Sequence, residues 1–327
     1  MIEFDNVTKV YPDRTIAVED ISFEVEEGTT TVLVGPSGCG KTTTMKMVNR
    51  LEDVTEGAIY HGGTDVSELS KTELRRNIGY VIQEIGLFGH MTVGENVATV
   101  PKLKNWDDDE IDTRVDELLD LMDLPPATYR DQYPRELSGG QRQRVGVARA
   151  LAADPDVMLM DEPFGALDPI TRDSLQDEFL SIQEQINTTI IFVTHSIDEA
   201  LKMGDRIAIY NTGEVVQYGT PQEILESPAN DFVREFIGGD RTFKRLQVTR
   251  VKEVMDQRSS ATGTSGVANG ESVAASADAR TAFAKLLERK TNTLPVVENG
   301  SVVGTISGDA LRTVASAETP NSEATEL

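Results

Sequence analysis

The stretch Gly35-Pro36-Ser37-Gly38-Cys39-Gly40-Lys41-Thr42 has the residue types and spacing of a phosphate cradle, G-x-x-x-x-G-K-[ST]. Its glycines let the main chain wrap an anion and turn N–H groups toward it. Lys41 can reach the β- and γ-phosphates of a nucleoside triphosphate. Thr42 can offer its hydroxyl to Mg²⁺, and Thr43 follows it at the helix start. Cys39 fills a variable position and contributes its backbone N–H. A second chemical element lies far downstream, where an apolar run closes on Asp161-Glu162. A carboxylate at the carboxyl end of a sheet strand can hold Mg²⁺ through water, the role read for Asp161. Glu162 would then sit beside the γ-phosphate and polarise an attacking water.

These residues need a rigid frame. Residues 30–34, 157–160 and 189–193 are short, apolar or β-rich runs that read as buried strands of a largely parallel sheet. Residues 41–51, 107–122 and 139–153 read as helices. The alternation predicts an α/β domain over residues 1–240, with a mostly helical subdomain inserted at about 84–154. The pattern breaks at Gly238-Gly239-Asp240. Residues 241–248 read as a connector and 249–314 as a small α+β module. In that module a Ser/Gly/Ala-rich loop (259–272) precedes a helix at 279–290 and strands at 294–297 and 301–306. The last residues, 315–327, are small, polar and acidic, a composition that predicts disorder.

Composition narrows the class. The chain has 327 residues, 39% hydrophobic and 26% charged, and no apolar run near the roughly 18 residues that span a bilayer. Its start, Met1-Ile2-Glu3-Phe4-Asp5, carries no secretory pattern, and its one cysteine rules out an intrachain disulfide. Both point to the cytoplasm, so any work at a membrane requires docking on another subunit. The net charge is −24, from 55 acidic and 31 basic residues, which opposes binding to nucleic acid or anionic lipid. Arginine outnumbers lysine, and an acid-rich, lysine-poor surface suits a salt-rich cytoplasm of the halophilic kind.

Leu137-Ser138-Gly139-Gly140-Gln141, placed before a helix, resembles the signature motif of ABC ATPases. Ser138 and the two glycines present hydroxyl and N–H groups at a helix start, a second anion site. In that family two subunits pack head to tail, and each signature loop caps the nucleotide held by the other's phosphate loop. The resemblance extends through residues 1–240. It implies that Tyr11 stacks on adenine and that Gln83 touches Mg²⁺ and the attacking water. It further implies that Asp168, in Gly165-Ala166-Leu167-Asp168, crosses the dimer interface, and that His195 contacts the γ-phosphate. Gly165 stands where the family often has serine. The expected fold is a P-loop ABC ATPase domain, and the expected cofactors are ATP and Mg²⁺.

Within the family the chain is similar to importer ATPases for quaternary amines such as glycine betaine, carnitine and choline. The pointers are Lys46-Met47-Val48-Asn49-Arg50-Leu51, Val81 through Phe88, His90-Met91-Thr92, Glu95-Asn96-Val97-Ala98, Val100-Pro101-Lys102-Leu103 and Trp106. Gly89 replaces a common proline. The implied assembly is an ATPase homodimer on a transmembrane permease, at the cytoplasmic face of the membrane, served indirectly by an extracytoplasmic solute-binding protein. An importer for a polyamine, amino acid or anion is the alternative, and a soluble ABC ATPase a more distant one. Val254-Met255, Leu294-Pro295-Val296-Val297 and Gly304-Thr305-Ile306-Ser307 resemble a single cystathionine-β-synthase (CBS) motif, a regulatory or dimerisation module. Ala310 stands where that motif usually has its ligand-reading acid, with Asp309 one residue early. The apolar face of Leu294, Val296, Val302 and Ile306 is expected to need a partner, supplied by the second subunit.

Overall fold

The computed structural model describes residues 1–82, 86–165, 167–183, 185–257 and 272–316. The chain divides into two compact units, Met1–Tyr218 and Gly219–Leu327.

The first unit holds two sheets. In one, β1 (Ile2–Val10), β2 (Ile16–Val25), β4 (Glu56–His61) and β5 (Thr64–Asp65) run in the order β2-β1-β4-β5, with antiparallel pairings. Alternation in β1 and β2 turns Ile2, Phe4, Ile21, Phe23 and Val25 inward, and the rings of Phe4 and Phe23 stack at 4.4 Å. The other sheet has the order β10-β9-β3-β8-β7-β6, from β3 (Thr30–Val34), β6 (Ile78–Val81), β7 (Val157–Asp161), β8 (Thr189–Thr194), β9 (Arg206–Asn211) and β10 (Glu214–Gly219). Its pairings β6–β7, β7–β8, β8–β3 and β3–β9 are all parallel. Every residue of β3, β7 and β8 is buried, as continuous apolar runs require when helices cover both faces.

Parallel neighbours point their carboxyl ends the same way. The segments after β3, β6, β7 and β8 therefore emerge along one edge of the sheet. Helix α1 (Lys41–Val48) follows β3, and α2 (Lys71–Arg76) precedes β6. The inserted segment is helical as expected: α3 (Val93–Val97), α4 (Thr99–Leu103), α5 (Asp108–Leu121), α6 (Pro126–Tyr129) and α7 (Gly139–Leu151). Buried Asn96 ties its entry, donating to Phe88 O at 3.1 Å and accepting Phe88 N–H at 2.8 Å. Helices α8 (Pro169–Gln183) and α9 (Ile197–Met203) follow β7 and β8.

The second unit contains α10 (Pro221–Glu226), α11 (Asp231–Ile237), α12 (Arg241–Val248), α13 (Val251–Val254), α14 (Ala279–Arg289) and α15 (Gly308–Ser316). Its sheet is β11 (Val273–Ala274), β12 (Thr293–Glu298) and β13 (Ser301–Ser307), in that order. The boundary differs from the sequence reading. Residues 219–240 belong with the second unit, and 241–248 are a helix rather than a connector. Arg241 donates to the Leu225 and Glu226 carbonyls that end α10, and Leu246 enters the second core. The expected bare apolar face is also corrected. Leu294, Val296 and Ile306 are fully covered within the unit by Leu246, Val251, Ala282, Leu286 and Leu311, while Val302 is half-buried. The edge of β13 is partly paired as well, since Asp256 and Thr305 exchange two backbone hydrogen bonds, at 2.8 and 3.1 Å. The loop at 259–272, all but its last residue, and the tail beyond Ser316 lie outside the described residues.

Candidate functional site

The phosphate loop leaves β3 and turns into α1 through Gly40, whose φ of 106° only glycine adopts without strain. A Cβ there would stand 2.4 Å from the Ala17 carbonyl oxygen, so the loop is pressed against β2. Lys41 is buried, and its ammonium donates to the carbonyls of Gly35 and Pro36, each at 2.8 Å. The cation is thereby held inside the curve of the loop. Cys39 is buried too, its Sγ 3.6 Å from Lys41 Nζ. Its side chain thus packs beneath the loop, a role beyond the backbone N–H expected of it.

Beside the loop, Thr42 Oγ1 donates to Asp161 Oδ1 at 3.0 Å. Burial pushes the Asp161 carboxyl up from its ordinary value, while the Thr42 hydrogen bond, Lys46 and Lys41 pull it down. A cation near these two oxygens would relieve the buried charge. Thr43 Oγ1 lies 3.4 Å from the Tyr11 hydroxyl, which sets the Tyr11 ring beside the start of α1.

Glu162 has φ 44°, a left-handed conformation that costs a non-glycine residue on the order of 1 kcal/mol. Its N–H donates to Val193 O at 2.9 Å, continuing the β7–β8 ladder by one residue. This turn carries the Glu162 carboxylate across to the end of β8, where Oε2 lies 3.4 Å from His195 Nδ1. The imidazole is more than half exposed. Gly165 packs against Glu162, since a Cβ there would lie 3.5 Å from Glu162 Oε2. The structure thus brings Lys41, Thr42, Asp161, Glu162 and His195 to one sheet edge. Gln83 lies outside the described residues.

Ser138 caps α7. Its hydroxyl accepts Gln141 N–H at 3.2 Å, and Gln141 Oε1 accepts Ser138 N–H at 2.8 Å. Gly139 and Gly140 complete the first turn, packed toward Leu167, Thr171 and Leu175. Asp168 is exposed at the start of α8 and accepts Thr171 N–H at 3.1 Å, and its hydrogen bonds from Thr171 hold its carboxyl below the usual range. Ser138, Gly139, Gly140, Gln141 and Asp168 thus form a separate group around α7 and α8. Among the described residues, no hydrogen bond recorded for them reaches the phosphate loop. In the second unit, Asp309 pairs with Arg312 at 2.9 Å in the first turn of α15.

A family model described as ABC transporter matches residues 18–165. The carnitine transport ATP-binding protein OpuCA of Listeria monocytogenes is 49% identical over 304 residues, covering 93% of this chain and 74% of that protein. The glycine betaine uptake system ATP-binding protein YehX of Escherichia coli K12 is 46% identical over 307 residues, 94% of this chain and 97% of that one. Among solved structures, the dimeric post-hydrolysis state of the ATP-binding cassette MJ0796, bound to ADP and Pi, superposes with a TM-score of 0.60. The identity there is 32%, over 68% of this chain and 99% of that one. The chain is an ATPase of the transport class. It belongs to the ATP-binding subunits of ABC transporters.

One feature of the site escaped the sequence. Glu199, four residues beyond His195, is a buried carboxylate, although an acid in the first turn of a helix reads as an ordinary solvated charge.

Proposed function

We propose that this chain is the energising subunit of an importer for quaternary-amine osmoprotectants of the glycine betaine, carnitine and choline kind. The observation that carries the chemistry is the convergence of Lys41, the Thr42–Asp161 pair and the Glu162–His195 pair on one sheet edge. The solute class is supported by the close relatives named for carnitine and glycine betaine transport.

In this reading the amides of Gly35 through Thr43 receive the phosphates and Tyr11 stacks on adenine. Lys41 exchanges the Gly35 and Pro36 carbonyls for phosphate oxygens. The hydroxyl of Thr42 and the carboxylate of Asp161 are hard oxygen donors 3.0 Å apart, a set that fits Mg²⁺, which keeps several waters and needs few protein ligands. Gln83 would add a ligand. When bound, the ion neutralises charge on the β- and γ-phosphate oxygens. Glu162 accepts a hydrogen bond from water and aims it at the γ-phosphorus, and His195 holds the γ-phosphate oxygens. Ser138, Gly139, Gly140 and Gln141 of a second copy close over the nucleotide, and Asp168 crosses between the copies.

The chain would dock on a permease at the cytoplasmic face, with a solute-binding protein on the other side and no role in binding nucleic acid. Among the described residues no helix is long and apolar enough to cross a membrane, so transport needs a separate membrane subunit. Co-expression with a multispanning permease tests this: the two are expected to co-purify in detergent, and purification of this chain alone would count against it. Within the second unit, residues 249–314 are read as a CBS-like regulatory or dimerisation module. Because its apolar face is covered internally, regulation in this reading does not depend on strand pairing between copies. A salt-rich cytoplasm is inferred from the net charge of −24. The melting temperature is expected to rise between about 0.01 M and 1 M KCl, as the Debye length falls from roughly 30 Å to about 3 Å. A flat or falling trend contradicts that origin.

A further inference from the structure

Glu199 has no role in the chemistry above, yet it is a carboxylate only 8% exposed beside it. Its oxygens accept two hydrogen bonds, from Gln176 Nε2 at 2.8 Å and from Thr194 Oγ1. A buried carboxylate is tolerated when paired in this way.

The positions of the two donors give the contact its meaning. Thr194 ends β8 and directly precedes His195. Its hydroxyl also accepts Ser196 N–H at 3.1 Å, so the chain on both sides of His195 is tied to Glu199. Ser196 Oγ in turn accepts Glu199 N–H at 3.3 Å. Gln176 is 3% exposed and stands on α8, which begins one residue after Asp168. One turn earlier on α8, Arg172 donates to Phe164 O at 3.2 Å and to Leu167 O at 2.8 Å, gripping the loop that carries Asp168. Burial pushes the Glu199 carboxyl up, and the bonds from Thr194 and Gln176, with the charges of Arg172 and His195, draw it back. A contiguous set of polar contacts therefore runs from the Asp168 loop through α8 and Glu199 to the segment that presents His195 to Glu162.

We propose that Glu199 is a positioning residue that locks the His195 segment to α8, so that the histidine and the Asp168 loop move as one body. This rests on the reading of Glu162 and His195 as the hydrolytic pair. His195 is exposed and sits on a short turn, so its placement comes from the main-chain bracket that Glu199 holds. A contact chain becomes a coupling only when substitutions along it fail to add.

The test is steady-state ATPase kinetics of the full chain for Glu199→Gln, Gln176→Met, His195→Ala and the Glu199→Gln/His195→Ala double variant. Glutamine keeps the shape of glutamate but turns one acceptor into a donor, facing either Gln176 Nε2 or the Thr194 hydroxyl. Turnover is expected to fall about tenfold in Glu199→Gln, as a slightly misplaced group would cause. The KM for ATP and the binding of a fluorescent ATP analogue should stay within about twofold. Gln176→Met should shift turnover in the same direction, and it decides the matter if Glu199→Gln does not fold. In the His195→Ala background, Glu199→Gln should cost nothing further, measured as residual phosphate release. A substitution that merely loosened the fold would lower the active fraction equally in both backgrounds, and equal losses overturn the proposal. Undiminished turnover in Glu199→Gln and Gln176→Met overturns it as well. The underlying reading fails separately, by full turnover in Glu162→Gln whatever the Glu199 variants do.

Discussion

Glu162→Gln is expected to bind Mg-ATP as well as the parent chain and to turn it over at least about a hundredfold more slowly. Three features set that size. The Glu162 carboxylate is mostly buried and lies 3.4 Å from His195 Nδ1. Its backbone is held in a left-handed conformation by the bond to Val193 O, a local strain that aims the side chain along the sheet edge. Glutamine preserves the volume and the backbone bond but presents an amide, a far weaker acceptor for a proton of the attacking water. Binding is expected to rest on residues 35–43, which this substitution leaves untouched. With hydrolysis blocked and closure intact, the ATP-bound dimer should accumulate on size exclusion. Steady-state phosphate release read beside that profile checks both halves, and parent-like turnover would remove Glu162 from the chemistry.

Gly40→Ala is expected to abolish nucleotide binding at concentrations that saturate the parent chain. The φ of 106° lies outside what an L-residue adopts comfortably, and the new Cβ would meet the Ala17 carbonyl oxygen at 2.4 Å and Val18 Cγ2 at 3.2 Å. The carbonyl belongs to the backbone of β2 and cannot swing away, so the loop must move and its amides lose their common focus. Gly63→Ala is the control: it has φ 79° and no atom near the added Cβ, so it carries the dihedral cost alone, away from the loop. A fluorescent ATP analogue should titrate Gly63→Ala like the parent and fail with Gly40→Ala. Equal binding by both would mean that the loop tolerates the displacement.

Much of the sheet edge that holds the candidate site is legible in the sequence because its signals are local. The runs at 30–34, 157–160 and 189–193 announce themselves as apolar or β-rich, the last two one residue short of the strands they form, and a glycine-rich turn between a strand and a helix has few other uses. The antiparallel sheet of β1, β2, β4 and β5 was not read, since its charged outward faces dilute each strand's pattern. Residues 241–248 read as a connector rather than a helix for a related reason. Its charged residues look solvated, yet Lys244 and Arg245 are buried by their stems and heads, Lys244 donating to Ile237 O at 2.6 Å and Arg245 to Leu225 O at 3.3 Å. The face of Leu294, Val296 and Ile306 needed a cover, as the pattern said. Periodicity could not say that α12, α14 and α15 of the same unit supply it. Glu199 was missed because its partners, Gln176 and Thr194, are 23 and 5 residues away and meet only once α8 and α9 pack beside β8.

The most direct measurement of the central claim is ATP hydrolysis by this chain assembled with its permease in proteoliposomes, with the solute-binding protein present and a quaternary amine added. Hydrolysis is predicted to rise when glycine betaine, carnitine or choline is supplied, and to vanish when Glu162→Gln replaces the parent chain. Hydrolysis indifferent to all three solutes would contradict the account.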